Sequence, residues 1–270
     1  MSQTEHHSVL PMDRPLTIMI VGAGGNGAQM AAGLAQISVA LKARGGHTLH
    51  VEIADDDRVS AANIGRQLFS PGDVGRPKAD VIVERTNRFY GFSWKSHVAR
   101  ITEATKLYAD VVIAAVDSAK SRVGIEKATL DGLKENYRAR TAYVLDVGNQ
   151  TRFGQVVLGA FRKASGSITV DLPTVTMLYP ELMDEDFKEQ DQGPSCSLAE
   201  ALQKQDLFIN RDVTTPALHI LWELLSKRRL SYHGVFTSLE SLRRTPLPVD
   251  EDVWIRMNPK LKETFLRDTA

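Results

Sequence analysis

The stretch Ile18-Met-Ile-Val-Gly-Ala-Gly-Gly-Asn-Gly-Ala28 decides the fold of this chain. Four apolar residues lead into a turn of the form G-x-G-x-x-G, at Gly22, Gly24 and Gly27, and a helical pattern follows from Gln29. Glycines here allow a tight strand-to-helix turn, close approach of the backbone to a phosphate, and close packing of the helix on the sheet. The free N–H groups and the positive dipole end of the helix then face that phosphate. The stretch therefore predicts a nucleotide site.

Composition and charge exclude several classes of protein. The 270 residues are 43% hydrophobic, and Lys+Arg and Asp+Glu both number 33, so a net charge of zero provides no basic field for nucleic acid. The single cysteine, Cys196, excludes an intrachain disulfide and a Cys-rich zinc site, and is typical of a reducing compartment. No apolar run reaches membrane-spanning length, and residues 1–15 lack an apolar signal core. We expect a cytoplasmic protein with no membrane or nucleic-acid partner and no zinc.

The order of the predicted elements indicates one domain over residues 17–270, after a mobile N-terminal segment at residues 1–16. Strands are predicted at Thr17–Val21, His50–Ala54, Lys95–Ile101, Val111–Val116, Ala142–Val147, Gly154–Phe161 and Tyr232–Thr237. Helices are predicted at Ala28–Lys42, Ala79–Phe89, about 118–137 and Asp212–Lys227. Strands that alternate with helices predict an α/β, Rossmann-like sheet that is mostly parallel and partly mixed, with helices on both faces.

The segment Lys163–Ser195 differs in character from the rest of the chain, because it contains Gly, Pro, Asp and Glu and shows little periodicity. It is too long for a loop that only joins two elements of a compact domain, so we expect a functional or mobile crossing loop there. Ser197-Leu-Ala-Glu200 follows directly and is a capping box, which predicts the start of a helix.

Charged and amide side chains follow the predicted strands in a fixed order, which is Asp55 and Asp57, then Asn63, Arg66, Gln67 and Lys78, then Asp117 and Arg122. Four of these residues have an ordinary structural interpretation when taken alone. On that interpretation Asp55 would cap a turn, and Arg66 and Lys78 would be solvated loop charges. Asp117 would cap the helix that follows it. These interpretations do not explain why all of the residues fall in one order at strand ends.

Together with the glycine turn, this series resembles the ThiF/MoeB/HesA superfamily, relatives of the ubiquitin-activating enzymes. The elements are G-x-G-G-x-G, Asp-x-Asp, Asn-x-x-Arg-Gln, Gly-x-Pro-Lys and Asp-Ser-x-x-x-Arg, and they cover about Thr17 to Phe161. The later stretch Pro194–Asn210 resembles the bacterial branch found in PRTRC cassettes. Those cassettes imply neighbours that resemble a ubiquitin-like protein, a conjugating enzyme and a JAB-type metalloprotease.

The resemblance implies adenylation of a carboxylate by ATP, usually the C-terminal Gly-Gly of a ubiquitin-like protein, in a homodimer. It implies a nucleotide site formed by Gly22, Gly24, Gly25, Asn26, Gly27, Asp55, Asp57, Asn63, Arg66, Gln67, Lys78, Asp117 and Arg122. In this reaction the substrate carboxylate attacks the α-phosphate of ATP, which brings two anions together. Arg66 and Lys78 are therefore the candidate catalytic cations. Asp117 is the candidate catalytic carboxylate that binds Mg²⁺. Asp55 ends a strand, where an acid accepts hydrogen bonds from ribose hydroxyls. The attacking carboxylate is already ionised, so no general base is required.

Cys196 is the candidate catalytic thiol that takes the acyl group and transfers it to a conjugating enzyme. The structural alternative is a small buried apolar residue, as free cysteines often are. Its neighbours Pro194, Ser195 and Ser197 are not apolar, and the predicted helix that follows lowers the pKa of a thiol at its N-terminus. It also follows the long segment in which relatives carry their acceptor cysteine.

The sequence departs from relatives in two ways, and three other functions stay open. The chain lacks both C-x-x-C pairs of zinc-bearing relatives, and only Arg14 stands where homodimeric relatives carry an R-x-x-R-Q segment.

An NAD-dependent oxidoreductase shares Gly22–Gly27 and Asp55 but does not predict the two cations. A non-catalytic nucleotide-binding scaffold usually loses the Arg, Lys or Asp that this chain keeps. Adenylation of a small-molecule or RNA-linked carboxylate is also compatible with the sequence. The histidines show no metal-binding spacing and are predicted to lie at the surface.

Overall fold

A nine-stranded sheet forms the centre of this protein. The computed structural model describes residues 4–46, 48–164, 167–183 and 198–265. The strands are β1 (His6–His7), β2 (Leu16–Val21), β3 (Leu49–Ala54), β4 (Lys95–His97), β5 (Val111–Ala114), β6 (Thr141–Asn149), β7 (Phe153–Ala164), β8 (Ser167–Leu172), β9 (Arg229–Leu230), β10 (Tyr232–Ser238) and β11 (Arg243–Pro248). The α-helices are α1 (Gly25–Ala43), α2 (Lys78–Tyr90), α3 (Ala119–Glu135), α4 (Val175–Leu178), α5 (Leu198–Lys204), α6 (Ile209–Trp222), α7 (Glu251–Met257) and α8 (Lys262–Phe265). Short 3₁₀ turns lie at Ala61–Asn63, Pro71–Asp73, Pro180–Met183 and Pro259–Leu261, and a π-helical turn lies at Glu223–Lys227.

The strand order of the sheet is β11-β10-β7-β6-β5-β2-β3-β4, with β8 paired to β7 outside this order. Strands β6, β5, β2, β3 and β4 run parallel, while β7, β10 and β11 are antiparallel to their neighbours. The chain order reverses between β2 and β5, which makes the gap between their carboxyl ends a topological switch point. Val21 pairs with both Ala54 and Ala114, so the residues that follow β2, β3 and β5 emerge at one edge.

Helices cover both faces of the sheet. On one face α1 packs beside α6 and α2 beside α1, and Ile18 and Ile20 of β2 share a core cluster with Leu34 of α1. On the other face Val21 of β2 shares a cluster with Ile125 of α3. Because successive side chains of a strand point to opposite faces, a strand covered on both sides must be apolar throughout. The predicted α/β fold, with a mostly parallel sheet and helices on both faces, is confirmed.

Several element boundaries differ from those predicted. Helix α1 begins at Gly25, β4 ends at His97, and β5 ends at Ala114. Helix α6 begins before the predicted start and runs through Pro216 without a break, and the π-helical turn follows it. None of the described helices combines the length and the apolar character that crossing a membrane requires.

The segment predicted as a crossing loop begins as regular structure instead. Strand β7 continues to Ala164, and β8 pairs with it antiparallel, so that Val170 lies opposite Phe161 and Leu172 opposite Ala160. The alternating apolar residues Ile168, Val170 and Leu172 are the signal that predicts a strand here. Residues 184–197, which complete the predicted crossing loop, lie outside the described part of the chain.

The described part of the N-terminal segment, residues 4–16, is bound to the body of the protein, whereas its polar composition predicted mobility. Strand β1 pairs with β9, and Nε2 of His6 lies 2.8 Å from the hydroxyl oxygen of Tyr143. Leu10 is only 2% exposed and belongs to the main core cluster. His6 and His233 are both buried, so the prediction that the histidines lie at the surface is wrong for these two.

Candidate nucleotide site

The glycine turn has the geometry that its sequence predicts. Gly22 adopts φ +96°, and a Cβ atom added there would lie 2.5 Å from the carbonyl oxygen of Ala115. A Cβ atom added at Gly27 would lie 2.8 Å from the carbonyl carbon of Gly22. Both positions therefore require glycine, the first also because its φ lies in the left-handed region. Helix α1 starts at Gly25 with no side-chain cap from its N-cap residue, Gly24, so its first N–H groups are available to an anion.

Asp55 ties the end of β3 to this turn. One carboxylate oxygen accepts a hydrogen bond from the backbone N–H of Ala23 at 2.5 Å, and the other accepts one from the N–H of Asp57 at 2.7 Å. Burial raises the pKa of the Asp55 carboxyl group, and the two backbone hydrogen bonds and the charge of Lys78 oppose that rise. The parallel register places Asp55 beside the turn, because Ala54 and Val21 are paired.

Two serine-capped turns shape the loop at residues 58–77. Oδ1 of Asn63 accepts hydrogen bonds from the N–H and the hydroxyl group of Ser60, and the carboxylate of Asp73 accepts the same two bonds from Ser70. The carbonyl group of Asn63 then accepts the N–H of Gln67 at 2.8 Å. Asn63 therefore orders the loop that carries Arg66 and Gln67.

Lys78 begins α2 directly beside the end of β3. Its backbone N–H donates to the carbonyl oxygen of Asp57, and its Nζ atom lies 2.7 Å from Oδ2 of the same residue. The Lys78 side chain is 9% exposed, whereas that of Asp57 is 64% exposed. A buried ammonium group with one exposed carboxylate partner at the edge of the switch point is suited to exchange that partner for an anionic ligand.

Arg66 lies at the contact between the loop and the residues after α5. Its Nη1 atom donates to Oε1 of Gln205, and α5 packs against the turn at Ala61–Asn63. Burial lowers the pKa of the Arg66 guanidinium group. Among the described residues no carboxylate forms a salt bridge with Arg66, so its charge is available to an anionic ligand.

Asp117 is exposed on the loop that leaves β5 at the same edge. The two residues before it pack against the glycine turn, since a Cβ atom at Gly22 would contact the carbonyl oxygen of Ala115 and Cγ1 of Val116. Arg122 approaches this loop from within the fold. Its Nη2 atom donates to the carbonyl oxygen of Val116 at 2.9 Å, and its Nε atom to Asp146 at 2.7 Å. This geometry supports a positioning role for Arg122.

Three side chains at the turn and one on the adjacent loop carry buried polar atoms that have no hydrogen-bond partner among the described residues, namely Asn26 Oδ1, Gln67 Oε1 and Asn210 Nδ2 at the turn and Arg66 Nε on the loop. Burying such a group without a partner costs about 1–3 kcal/mol, so water or a ligand is needed to complete their hydrogen bonds. Nε2 of Gln67 would lie 3.9 Å from a Cβ atom at Gly24. The Nδ2 atom of Asn26 donates to the end of β6, at Val147 and Asn149. The site thus offers both donors and acceptors for a nucleotide.

The acidic residues after β3 also form a group that could hold a metal ion, because carboxylate oxygens of Asp55, Asp56 and Asp57 lie within 4.8 Å of one another. Arg100 pairs with Asp56 at 3.2 Å and Lys78 pairs with Asp57. These two cations offset two of the three carboxylate charges, and the third carboxylate, that of Asp55, accepts two backbone N–H groups.

The turn, Asp55, Lys78 and the loop of Asp117 lie at the switch point, and Gln67 approaches the turn at Gly24. Arg66 lies on the loop beside Gln67, and its guanidinium group contacts Gln205. A joint role of these residues in binding a nucleotide stays a prediction. Cys196 lies outside the described residues. Sequence reasoning missed three residues of this region, which are Asp146, Gln205 and Asn210. Asp146 interrupts a buried apolar strand, which is a signal that the sequence does contain. Gln205 and Asn210 carry no such signal.

Comparison with known proteins shows the family and the fold. Ubiquitin-like modifier-activating enzyme 7 of Mus musculus is 30% identical over 183 residues, which are 67% of this chain and 17% of that enzyme. Among solved structures, E. coli MccB superposes with a TM-score of 0.54 at 16% identity, over 87% of this chain and 62% of MccB. PaaA superposes with a TM-score of 0.52 at 14% identity, over 87% and 64%. The chain thus spans less than two thirds of each of these proteins. Residues 14–246 match the ThiF family, and the protein therefore belongs to that family.

Proposed function

We propose that this protein activates a carboxylate by adenylation with ATP. A carboxylate oxygen attacks the α-phosphorus, a new P–O bond forms, and the bond to the leaving pyrophosphate breaks, which gives an acyl-adenylate and pyrophosphate. The observation that carries the proposal is the set of buried, unpartnered polar atoms of Asn26, Gln67 and Asn210 beside the glycine turn, where Asp55 is hydrogen-bonded to Ala23 and lies close to Lys78. Membership of the ThiF family supports it, as does the solution of the E. coli MccB structure with ATP.

Each residue has a defined task in this reaction. The first N–H groups of α1 bind phosphate oxygens, and Asp55 accepts hydrogen bonds from ribose hydroxyls through the lone pairs that Ala23 and Asp57 leave free. Arg66 and Lys78 offset the repulsion between the carboxylate and the α-phosphate. Asp117 would hold Mg²⁺, which neutralises charge on the leaving pyrophosphate.

The proposed substrate is the C-terminal carboxylate of a small ubiquitin-like protein. The name of the mouse relative and the solution of MccB with AMPCPP and MccA support a peptide or small protein as the source of the carboxylate. Thioester formation at Cys196, transfer to a conjugating enzyme, homodimer formation and membership of the PRTRC branch stay predictions. In the thioester step the thiolate attacks the acyl carbon, and AMP leaves.

ATP–pyrophosphate exchange tests the adenylation step. We expect exchange with a ubiquitin-like protein that ends in Gly-Gly, and none with the same protein amidated at its C-terminus. Asp117→Asn should lower exchange roughly 100-fold or more, in line with the loss of a group that stabilises transition-state charge. Asp131→Asn is the matched control and should leave exchange unchanged, because Asp131 is a half-buried residue of α3 that pairs with Lys134. NADH binding in the absence of ATP binding would instead establish the oxidoreductase alternative.

Cys196→Ala tests the transfer step separately. The variant should retain exchange and lose the covalent adduct that a thiol reductant removes. A reducible adduct that persists in Cys196→Ala would exclude this cysteine as the acceptor, while the adenylation proposal would stand.

A further inference from the structure

Helices α1 and α6 pack side by side through two glycines of α1. The Cγ atom of Asn210 lies 2.6 Å from the position of a Cβ atom at Gly25, and the Cγ atom of Leu218 lies 2.8 Å from one at Gly33. The contacts are eight residues apart on each helix and occur in the same order, so the two helices run parallel over about 12 Å. The N-terminus of α6 therefore lies beside that of α1, at the carboxyl edge of the sheet.

Asn210 is 3% exposed, and its Nδ2 atom has no hydrogen-bond partner among the described residues. The side chain fills the space that any side chain at position 25 would need, which explains why the turn carries a glycine at Gly25 beyond the G-x-G-x-x-G pattern. The amide donor therefore lies against the first residue of α1, beside the uncapped N–H groups of that helix.

We propose that Asn210 is a phosphate-binding residue, whose Nδ2 donates a hydrogen bond to a phosphate oxygen of the bound nucleotide at the start of α1. The inference rests on the proposed function and adds a ligand that the motif series does not contain. Asn210 contacts the helix start that receives the phosphates, whereas Asp55 lies at the opposite, β3 side of the turn, where the ribose binds. A neutral donor is suited to this position, because it binds an anion without a counter-charge of its own.

Equilibrium binding of ATP, AMP and adenosine to the full chain tests this inference. Asn210→Asp is nearly isosteric and replaces the donor with a carboxylate, so we expect it to weaken binding of ATP and AMP at least tenfold. Adenosine, which has no phosphate, should bind within about twofold of wild type. Asn210→Ala should show the same separation, with a smaller loss, and serves if Asn210→Asp does not fold.

Leu218→Ala is the matched control, because it loosens the α1–α6 contact two helical turns away from the site. It should lower the melting temperature of the nucleotide-free protein and leave the ratio of ATP to adenosine affinity unchanged. Wild-type ATP affinity in Asn210→Asp, or an equal loss for ATP and adenosine, would overturn the role of Asn210 alone. A wild-type protein that binds no ATP would overturn the proposed function as well.

Discussion

The guanidinium group of Arg122 and the carboxylate of Asp146 form a buried ion pair, with Nε 2.7 Å from Oδ1. Asp146 also accepts a hydrogen bond from Gln155 at 3.2 Å, and Arg122 donates to the carbonyl oxygen of Val116. The pair therefore links β6 and β7 to the loop that carries Asp117. A Cβ atom at Gly148 would lie 2.6 Å from Nη2 of Arg122, so the backbone of β6 also constrains the guanidinium group.

Loss of Asp146 should be costly, because it leaves the buried Arg122 without its carboxylate. We expect Asp146→Ala to lower the free energy of unfolding by about 3–5 kcal/mol. Glu103→Ala removes the carboxylate of an exposed pair with Lys127 on the same helix as Arg122, and should cost less than about 1 kcal/mol. Urea unfolding of both variants measures the difference. A loss below 1 kcal/mol in Asp146→Ala would show that the pair does not stabilise this edge of the sheet.

Lys78 should affect the reaction much more than the fold. Lys78→Met keeps the apolar stem and removes the charge, and its partner Asp57 is exposed enough to be solvated by water instead. We expect ATP–pyrophosphate exchange to fall roughly 100- to 1000-fold, with a change in unfolding free energy below about 1 kcal/mol. Lys127→Met, on the surface of α3, is the control and should retain exchange. Normal exchange in Lys78→Met would limit Lys78 to a role in ordering the loop.

The sequence predicted the parallel strands and the residues at their carboxyl ends because both depend on local signals. Strands β2 and β5 are buried on both faces, so each reads as a continuous apolar run. Asp117 follows the run of β5, whereas Asp55 follows β3, in which apolar residues alternate with His50 and Glu52. The parallel register brings the ends of both strands to one edge. Their approach to each other therefore follows from strand order alone.

What the sequence did not predict depends on contacts between distant segments. Asn210 reaches the turn only because Gly25 and Gly33 let α6 approach α1, and no local periodicity encodes that approach. Strand β1 has two residues and gains its stability from β9, which is more than 200 residues away in the chain. The polar composition around Leu10 predicts a mobile segment, because one apolar side chain hardly changes the mean hydropathy of the segment.

The N-terminal segment should contribute measurably to stability. Leu10 is 2% exposed within the main core cluster, and truncation of a buried leucine leaves a cavity. We expect Leu10→Ala to lower the free energy of unfolding by roughly 2–4 kcal/mol. The neighbouring Val9 is 46% exposed, so Val9→Ala should cost less than about 0.5 kcal/mol. Urea unfolding measures both changes. If both variants lower the free energy of unfolding by the same small amount, residues 4–14 are mobile, as their composition predicted.

Stability should fall in mild acid because of His233. Its ring is fully buried, Nδ1 donates to the carbonyl oxygen of Leu158 at 2.8 Å, and Nε2 has no partner among the described residues. Burial lowers the pKa of His233 to about 4, from an ordinary 6.5, so between these values the unfolded chain binds more protons than the folded one. The free energy of unfolding is therefore unaffected by protonation of His233 above pH 6.5. It decreases as the pH falls toward 4, by up to about 3 kcal/mol. His233→Asn keeps a donor for Leu158 and cannot be protonated, so its unfolding free energy should vary less between pH 7 and pH 4.5. His50→Asn, an exposed position of β3, should retain the wild-type pH dependence, and an unchanged profile in His233→Asn would assign the acid sensitivity to other groups.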